Sequence, residues 1–187
     1  MPLCVALVHS PVVNKHGKVV TSSITNFDIH DIARSCRTFG VDRYFIVTPS
    51  EPQQWLARRI VRHWGEGWGA TYNPRRKDAL SLIEVVSDLP EAVSRAEALL
   101  GQRPWLVGTS ARPRPESLST QDLRTRLETG DEAFCLVFGT GWGIHGDLMD
   151  SLDFSLEPIR GVGDYNHLSV RAAVAIILDR LRGTPTA

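Results

Sequence analysis

Two stretches of this 187-residue chain hold residue types whose spacing carries chemical meaning. The first is Phe138-Gly139-Thr140-Gly141-Trp142-Gly143-Ile144, where glycines alternate directly after an apolar run. Glycine has no Cβ, so such a run lets the backbone lie close against a ligand. A dinucleotide fingerprint would follow the first strand and have an acidic residue about 20 positions further on. Here the first apolar run is followed by Ser10-Pro11-Val12, and the glycines come after the fifth such run. That placement disfavours NAD. A tight turn with no ligand is the plain alternative. Trp142 between two glycines argues against it, because a loop indole usually has something to stack on.

The second stretch is Pro158-Ile159-Arg160-Gly161-Val162-Gly163-Asp164-Tyr165-Asn166-His167-Leu168-Ser169-Val170-Arg171. It is polar and glycine-rich between two apolar segments. Asn166 or His167 can cap the helix that follows, and free N–H groups at a helix start suit a carboxylate or polar ligand. An ordinary cap and turn would have the same composition.

The elements that must position these stretches alternate in type. Apolar, β-rich runs at 3–8, 43–48, 80–86, 105–109, 133–138 and 154–159 predict strands. Helical spacing predicts helices at 26–39, 51–64, 90–100, 120–128 and 168–182. Residues 9–25, 65–69 and 112–119 read as loops. Strands alternating with helices predict an α/β fold with a mostly parallel sheet flanked by helices. The length suits a single domain over residues 1–187.

Formal charge is zero, with 21 basic and 21 acidic side chains, so bulk charge names no polyanion partner. The basic set is skewed: only Lys15, Lys18 and Lys77 are lysines and the rest are arginines. Arginine binds phosphate bidentately and stacks on bases; a genomic composition bias explains the same skew. Cys4, Cys36 and Cys135 each sit in an apolar run without metal-ligand spacing, so buried free thiols and a reducing, cytoplasmic setting are expected. The start MPLCVALVHS has no basic leader segment and reads as a strand. The longest apolar run, residues 172–178, is far below the ~18 residues of a membrane span.

Three motifs together carry a resemblance. Asp28-Ile-His-Asp-Ile-Ala-Arg-Ser-Cys-Arg-Thr-Phe-Gly-Val41, Phe138 to Ile144, and Pro158 to Arg171 resemble, in that order, the three motifs of the SPOUT (SpoU–TrmD) class of RNA methyltransferases. Within that class the chain is most similar to a small bacterial group of S-adenosylmethionine-dependent RNA methyltransferases. The resemblance implies a C-terminal trefoil knot, a rare exception to the rule against threaded chains. It implies a homodimer, an RNA substrate (tRNA or rRNA), and S-adenosylmethionine held by three loops. By position these loops contain Thr109, Ser110 and Ala111, then Gly139, Thr140, Gly141, Trp142 and Gly143, then Ile159, Gly161, Asp164, Tyr165, Asn166, His167, Leu168 and Ser169.

The resemblance also places Arg34 as the first motif's arginine, acting on a phosphate or through its field; an ion pair with Asp28 or Asp31 on the same helix is the ordinary alternative. Histidine is the residue type whose ordinary pKa lies nearest neutrality, so His30 and His167 are base candidates, with Asp28 and Asp164 as alternatives. The glutamate that ribose methyltransferases carry in the second motif is missing here, and Gly163-Asp164-Tyr165 resembles the guanine-N1 enzymes. The methyl acceptor is therefore either a base nitrogen or a ribose 2′-OH. Arg58, Arg59, Arg62 and His63, Arg75, Arg76 and Lys77, and Arg112 and Arg114 are RNA-contact candidates, with Trp64, Trp68 and Tyr72 interleaved for stacking. The helix expected at 168–182 is apolar all round from Ala172 to Leu178, which predicts burial on every side, by a second subunit or within one. Two other readings stay open: a non-catalytic RNA-binding module that keeps the knot, and a different nucleotide-binding α/β enzyme.

Overall fold

Parallel strands buried on both faces read as unbroken apolar runs, and β1 (Leu3–Val8) is such a run, with every residue buried. A computed structural model describes residues 2–184. In it β1 pairs in parallel with β4 (Arg43–Val47) on one side and β7 (Phe134–Gly139) on the other. Outward from these lie β5 (Ile83–Val86), β6 (Trp105–Gly108) and the two-residue β8 (Phe154–Ser155). The order is β5-β4-β1-β7-β6-β8, and every pairing is parallel.

Helices cover both faces. On one face α1 (Asn26–Thr38), α2 (Glu51–Gly65), α4 (Pro74–Leu80), α6 (Thr120–Thr129) and α8 (Val170–Arg182) bury their apolar stripes against strand residues such as Val5, Leu7, Tyr44, Leu136 and Phe138. On the other face α5 (Leu89–Leu100) and α7 (Gly146–Asp150) pack with the hairpin of β2 (Val12–Val13) and β3 (Val19–Val20) against Ala6, Val8, Phe45 and Val137. Burying each large side chain of α8 (Val174, Ile177, Leu178 and Leu181) contributes about 1.5–3 kcal/mol.

Several expected boundaries move. Residues 65–69 are not simply a loop: α3 (Trp68–Tyr72) begins there, and α4 takes Leu80 from the expected third strand. Asn73 caps α4 by accepting from the Arg76 N–H, which starts a helix in a segment for which the sequence predicts no element. The expected sixth strand shrinks to Phe154–Ser155, and the expected loop 9–25 contains the β2–β3 hairpin. Helix α8 starts at Val170 and its cap is Ser169, accepting from the Ala172 N–H at 3.3 Å, so neither Asn166 nor His167 caps it. Among the described residues no helix is long and apolar enough to cross a membrane.

Candidate functional site

In a parallel sheet, ligands sit in the crevice beyond the carboxyl ends of the strands. Three loops leave that edge, after the adjacent strands β6, β7 and β8. Thr109 follows β6, with its N–H donating to the Val137 carbonyl at 3.0 Å and its Oγ1 to the same oxygen at 3.1 Å. Ser110 Oγ accepts from the Arg112 N–H at 3.0 Å, turning the chain outward. Leu156 N–H donates to the Gly108 carbonyl at 2.8 Å, which seats the start of the loop after β8 beside the loop after β6. Asn166 Nδ2 then donates to the Ala111 carbonyl at 2.9 Å. Two residues 55 positions apart in sequence, both placed by the resemblance in cofactor loops, therefore touch.

The glycine loop is held from the other side. Trp142 N–H donates to the Val13 carbonyl and Val13 N–H to the Gly143 carbonyl, each at 3.0 Å. Gly141 has φ +61, and a Cβ there would stand 3.1 Å from the Val13 oxygen. A Cβ on Gly139 would meet the Ile144 nitrogen at 2.6 Å. These glycines let the loop close on β2 and on itself; the open part of the loop is the indole of Trp142, which is 57% exposed.

The loop after β8 leaves its main-chain groups unpaired with other backbone: among the described residues, none from 158 to 168 takes part in a backbone–backbone hydrogen bond. Most of these residues are exposed, so their N–H and C=O groups face outward. Val162, Tyr165 and Leu168 are exposed apolar side chains around it, and the Tyr165 and His167 rings meet edge to face at 5.5 Å. Ile159 is half-buried at the loop's start, while Gly161 and Asp164 are exposed.

The first motif lies on α1. Thr25 caps this helix, and its Oγ1 donates to Asp28 Oδ2 at 2.6 Å. Asp28 is buried, with Arg171 Nε 3.6 Å from its Oδ1, and Arg171 Nη1 donates to Asp31 Oδ2 at 2.8 Å. Both carboxylates offered to Arg34 by helical spacing thus belong to Arg171. Arg34 is exposed, and its guanidinium makes no ion pair or hydrogen bond among the described residues. His30, one turn earlier, faces a different cleft between α1, α2 and α4, with its ring 5.6 Å from Trp64. Burial, then the Arg76 charge, holds the His30 pKa below its ordinary value.

One residue at this edge has no place in the motifs. His9, at the end of β1, is fully buried. Its Nδ1 shares a 3.0 Å hydrogen bond with Ser22 Oγ, and Ser22 Oγ in turn meets Thr140 Oγ1 of the glycine loop. His9 Nε2 is buried with no partner among the described residues, and burial lowers the ring's pKa to about 4. A titratable side chain at the carboxyl end of the central strand was the available signal. The chain from His9 through Ser22 to Thr140 ties the segment before α1 to the glycine loop.

The chain is similar to known proteins along nearly its whole length. An uncharacterised protein of Aquifex aeolicus is 44% identical over 177 residues, covering 95% of this chain and 86% of that protein. A protein of Oleidesulfovibrio alaskensis named tRNA (guanine-N(1)-)-methyltransferase is 46% identical over 178 residues, covering 95% of this chain. This chain spans only 41% of that relative's length. The crystal structure of TrmJ from Z. mobilis ZM4 superposes with a TM-score of 0.62 at 16% identity, covering 99% of this chain and 70% of that one, a likeness of fold. The profile of one family, described as SAM-dependent RNA methyltransferase, matches residues 2–183, and the chain belongs to that family.

Proposed function

We propose that this chain is a methyltransferase domain that holds S-adenosylmethionine across the three loops at the sheet's carboxyl edge and, as a cytoplasmic homodimer, methylates tRNA or rRNA. The observation that carries the reading is the Asn166–Ala111 tie between two loops, one of which has its main-chain groups otherwise free. Thr109, Ser110 and Ala111, residues 139–143, and the loop from Ile159 to Ser169 fit a flat, polar nucleoside by their free main-chain groups and exposed apolar side chains. When bound, S-adenosylmethionine supplies a sulfonium methyl group open to in-line displacement. The relative named for a tRNA reaction supports tRNA, and the acceptor is a base nitrogen or a ribose 2′-oxygen.

Arg34 and His30 stand four residues apart on α1, so they share one side of that helix. Arg34 binds a phosphate of the target nucleotide, since an arginine stays charged at any working pH. His30, whose pKa burial and the Arg76 charge hold down, is the base candidate on this helix, and Asp164 in the loop after β8 is the alternative. Asp28, bonded to Thr25 and paired with Arg171, orients α1 rather than moving a proton. The bridge between Leu118 and Leu156 and the Asn166–Ala111 bond support a C-terminal segment threaded through the loop after β6 as a trefoil knot. An RNA substrate and three buried free thiols suit the cytoplasm.

The test is a thermal-shift series followed by nucleoside mass spectrometry. Ligand at a hundredfold its Kd stabilises by about 2.7 kcal/mol, so S-adenosylmethionine is expected to raise Tm while NADP leaves it unchanged. RNA from cells lacking the protein is expected to lose one methylated nucleoside, and its mass fragments separate base from ribose methylation. No shift at millimolar cofactor would sink the cofactor site.

A further inference from the structure

The chain is neutral overall, yet residues 51–77 carry six arginines and lysines against two glutamates. Their use differs from that of most arginines elsewhere in the chain. Eight arginines elsewhere form ion pairs with carboxylates. Among the described residues none of Arg58, Arg59, Arg62, Arg75, Arg76 and Lys77 has a carboxylate within ion-pair distance. Two of them lie on indoles instead: Arg59 is 5.1 Å from the Trp55 ring and Arg76 4.7 Å from the Trp64 ring. Positive charge left without carboxylate partners, gathered on α2 and α4, is the footprint of a polyanion.

The same face exposes aromatic surface that a folded chain normally covers. Trp55 is 60% exposed, and Trp68 and Tyr72 are 70% and 69% exposed while stacked on each other at 4.6 Å. Two clefts of about 380 Å³ each flank Arg59 on α2. The second is walled by Trp64, Arg76 and His30, with Leu56 and Ile60 as an apolar floor. His30 Nδ1 is buried there without a hydrogen-bond partner among the described residues. An apolar slot with cationic and aromatic walls and an unsatisfied polar atom fits a nucleobase: the ring stacks, and a base edge meets the imidazole. Bases inside a duplex are not available for stacking, so this chemistry selects unpaired nucleotides.

We propose that the face formed by α2, α3 and α4 binds a single-stranded segment of the RNA substrate, with one base seated in the Trp64 cleft and others stacking on Trp68–Tyr72. This placement rests on the RNA methyltransferase reading and adds where, and in what form, the RNA lies. Because His30 walls the cleft and Arg34 follows it on α1, RNA held here runs towards the first motif.

The experiment measures anisotropy of a labelled single-stranded RNA of mixed sequence, and of its duplex, on the full chain. Wild type is compared with Arg59→Ala/Arg76→Ala and with Trp68→Ala/Tyr72→Ala, which leave the two apolar cores intact. Circular dichroism, calorimetric S-adenosylmethionine affinity and sedimentation mass are taken in parallel. Wild type is expected to prefer the single strand. The aromatic pair is expected to lower its affinity roughly 5- to 150-fold, as loss of base stacking does. The arginine pair is expected to reduce the log–log salt slope by about 1.4. Cofactor affinity and mass are expected to stay as in wild type. Undiminished single-strand binding in both variants, or equal affinity for duplex in wild type, overturns the proposal. Lost RNA binding together with a change of mass makes the face a subunit contact and overturns it too. Wild type that binds neither cofactor nor RNA fails the underlying reading, a result distinct from these.

Discussion

Burial holds His9 as a neutral base, and a neutral buried base makes stability depend on pH. Its folded pKa is about 4 against an ordinary 6.5. Between those values the unfolded chain binds a proton that the folded chain refuses, so stability rises with pH through that window. The contribution is present above pH 6.5 and is lost as pH falls towards 4. At about 1.4 kcal/mol per pKa unit, wild type is expected to lose about 2 kcal/mol between pH 7 and pH 5 from this residue. Urea unfolding of wild type and His9→Gln at those two pH values checks it: the variant should lose less on acidification, with His30 supplying a residual slope of the same sign. Equal slopes would show that His9 titrates normally. The residue scale is also where the sequence was least legible. His9 ends an apolar run like any strand-end residue, and its partner Ser22 lies in a stretch without periodicity. Gly141 was legible as special, but the reason needed coordinates: its left-handed backbone and the nearby Val13 oxygen come from a hairpin too short to leave a pattern.

At the scale of elements, the helices joined to the motifs are tied by charge. Arg171, in the first turn of α8, reaches both Asp28 and Asp31 near the start of α1 and lies 5.2 Å from the Phe27 ring. Asp28 is buried, so removing Arg171 leaves a carboxylate short of its cation and not merely one surface pair fewer. Arg171→Ala is expected to destabilise by roughly 1–3 kcal/mol, and Arg171→Ala with Asp28→Asn to be less than additive, with a coupling of about 0.5–3 kcal/mol. Urea titrations of the two single variants and the double variant measure it; strict additivity would mean that the contact does not exist in solution. Strands β1, β4 and β7 and helices α1, α2, α5 and α6 were legible because each is a long run of one period. The helix pair α3–α4 was not, because Gly69 looks like a breaker. In the fold it is a close contact: a Cβ there would stand 2.8 Å from the Trp64 ring. Leu80 to Leu82 read as strand because an apolar run has no period of its own, and the end of α4 claims its first residue.

At the scale of the whole molecule, the cover over α8 decides the assembly. Its apolar girdle predicts burial on every side, and one subunit supplies part of that cover. Val174, Ile177, Leu178 and Leu181 are buried against α1, α6 and the sheet, while Ala172, Ala173, Ala175 and Ile176 are half-buried. Beside them Phe27, Leu168 and Tyr165 are exposed. A two-fold contact over this surface would be isologous, and Arg34, which has no partner among the described residues of its own chain, is expected to point across it towards the loops after β6, β7 and β8 of the other subunit. Sedimentation equilibrium at micromolar concentration is expected to give twice the 20.7 kDa chain mass. Complementation tests the shared site. Arg34→Ala is expected to be inactive, and so is Gly141→Val, whose branched side chain at a left-handed position displaces the glycine loop. In a mixed dimer with Arg34 acting across the interface, one site collects both defects and the other is intact. Mixing the two inactive proteins under conditions that exchange subunits should therefore restore up to half of the wild-type activity per mixed dimer. If subunits exchange and nothing returns, Arg34 serves its own chain, and the half-covered face of α8 does not bring the two sites together.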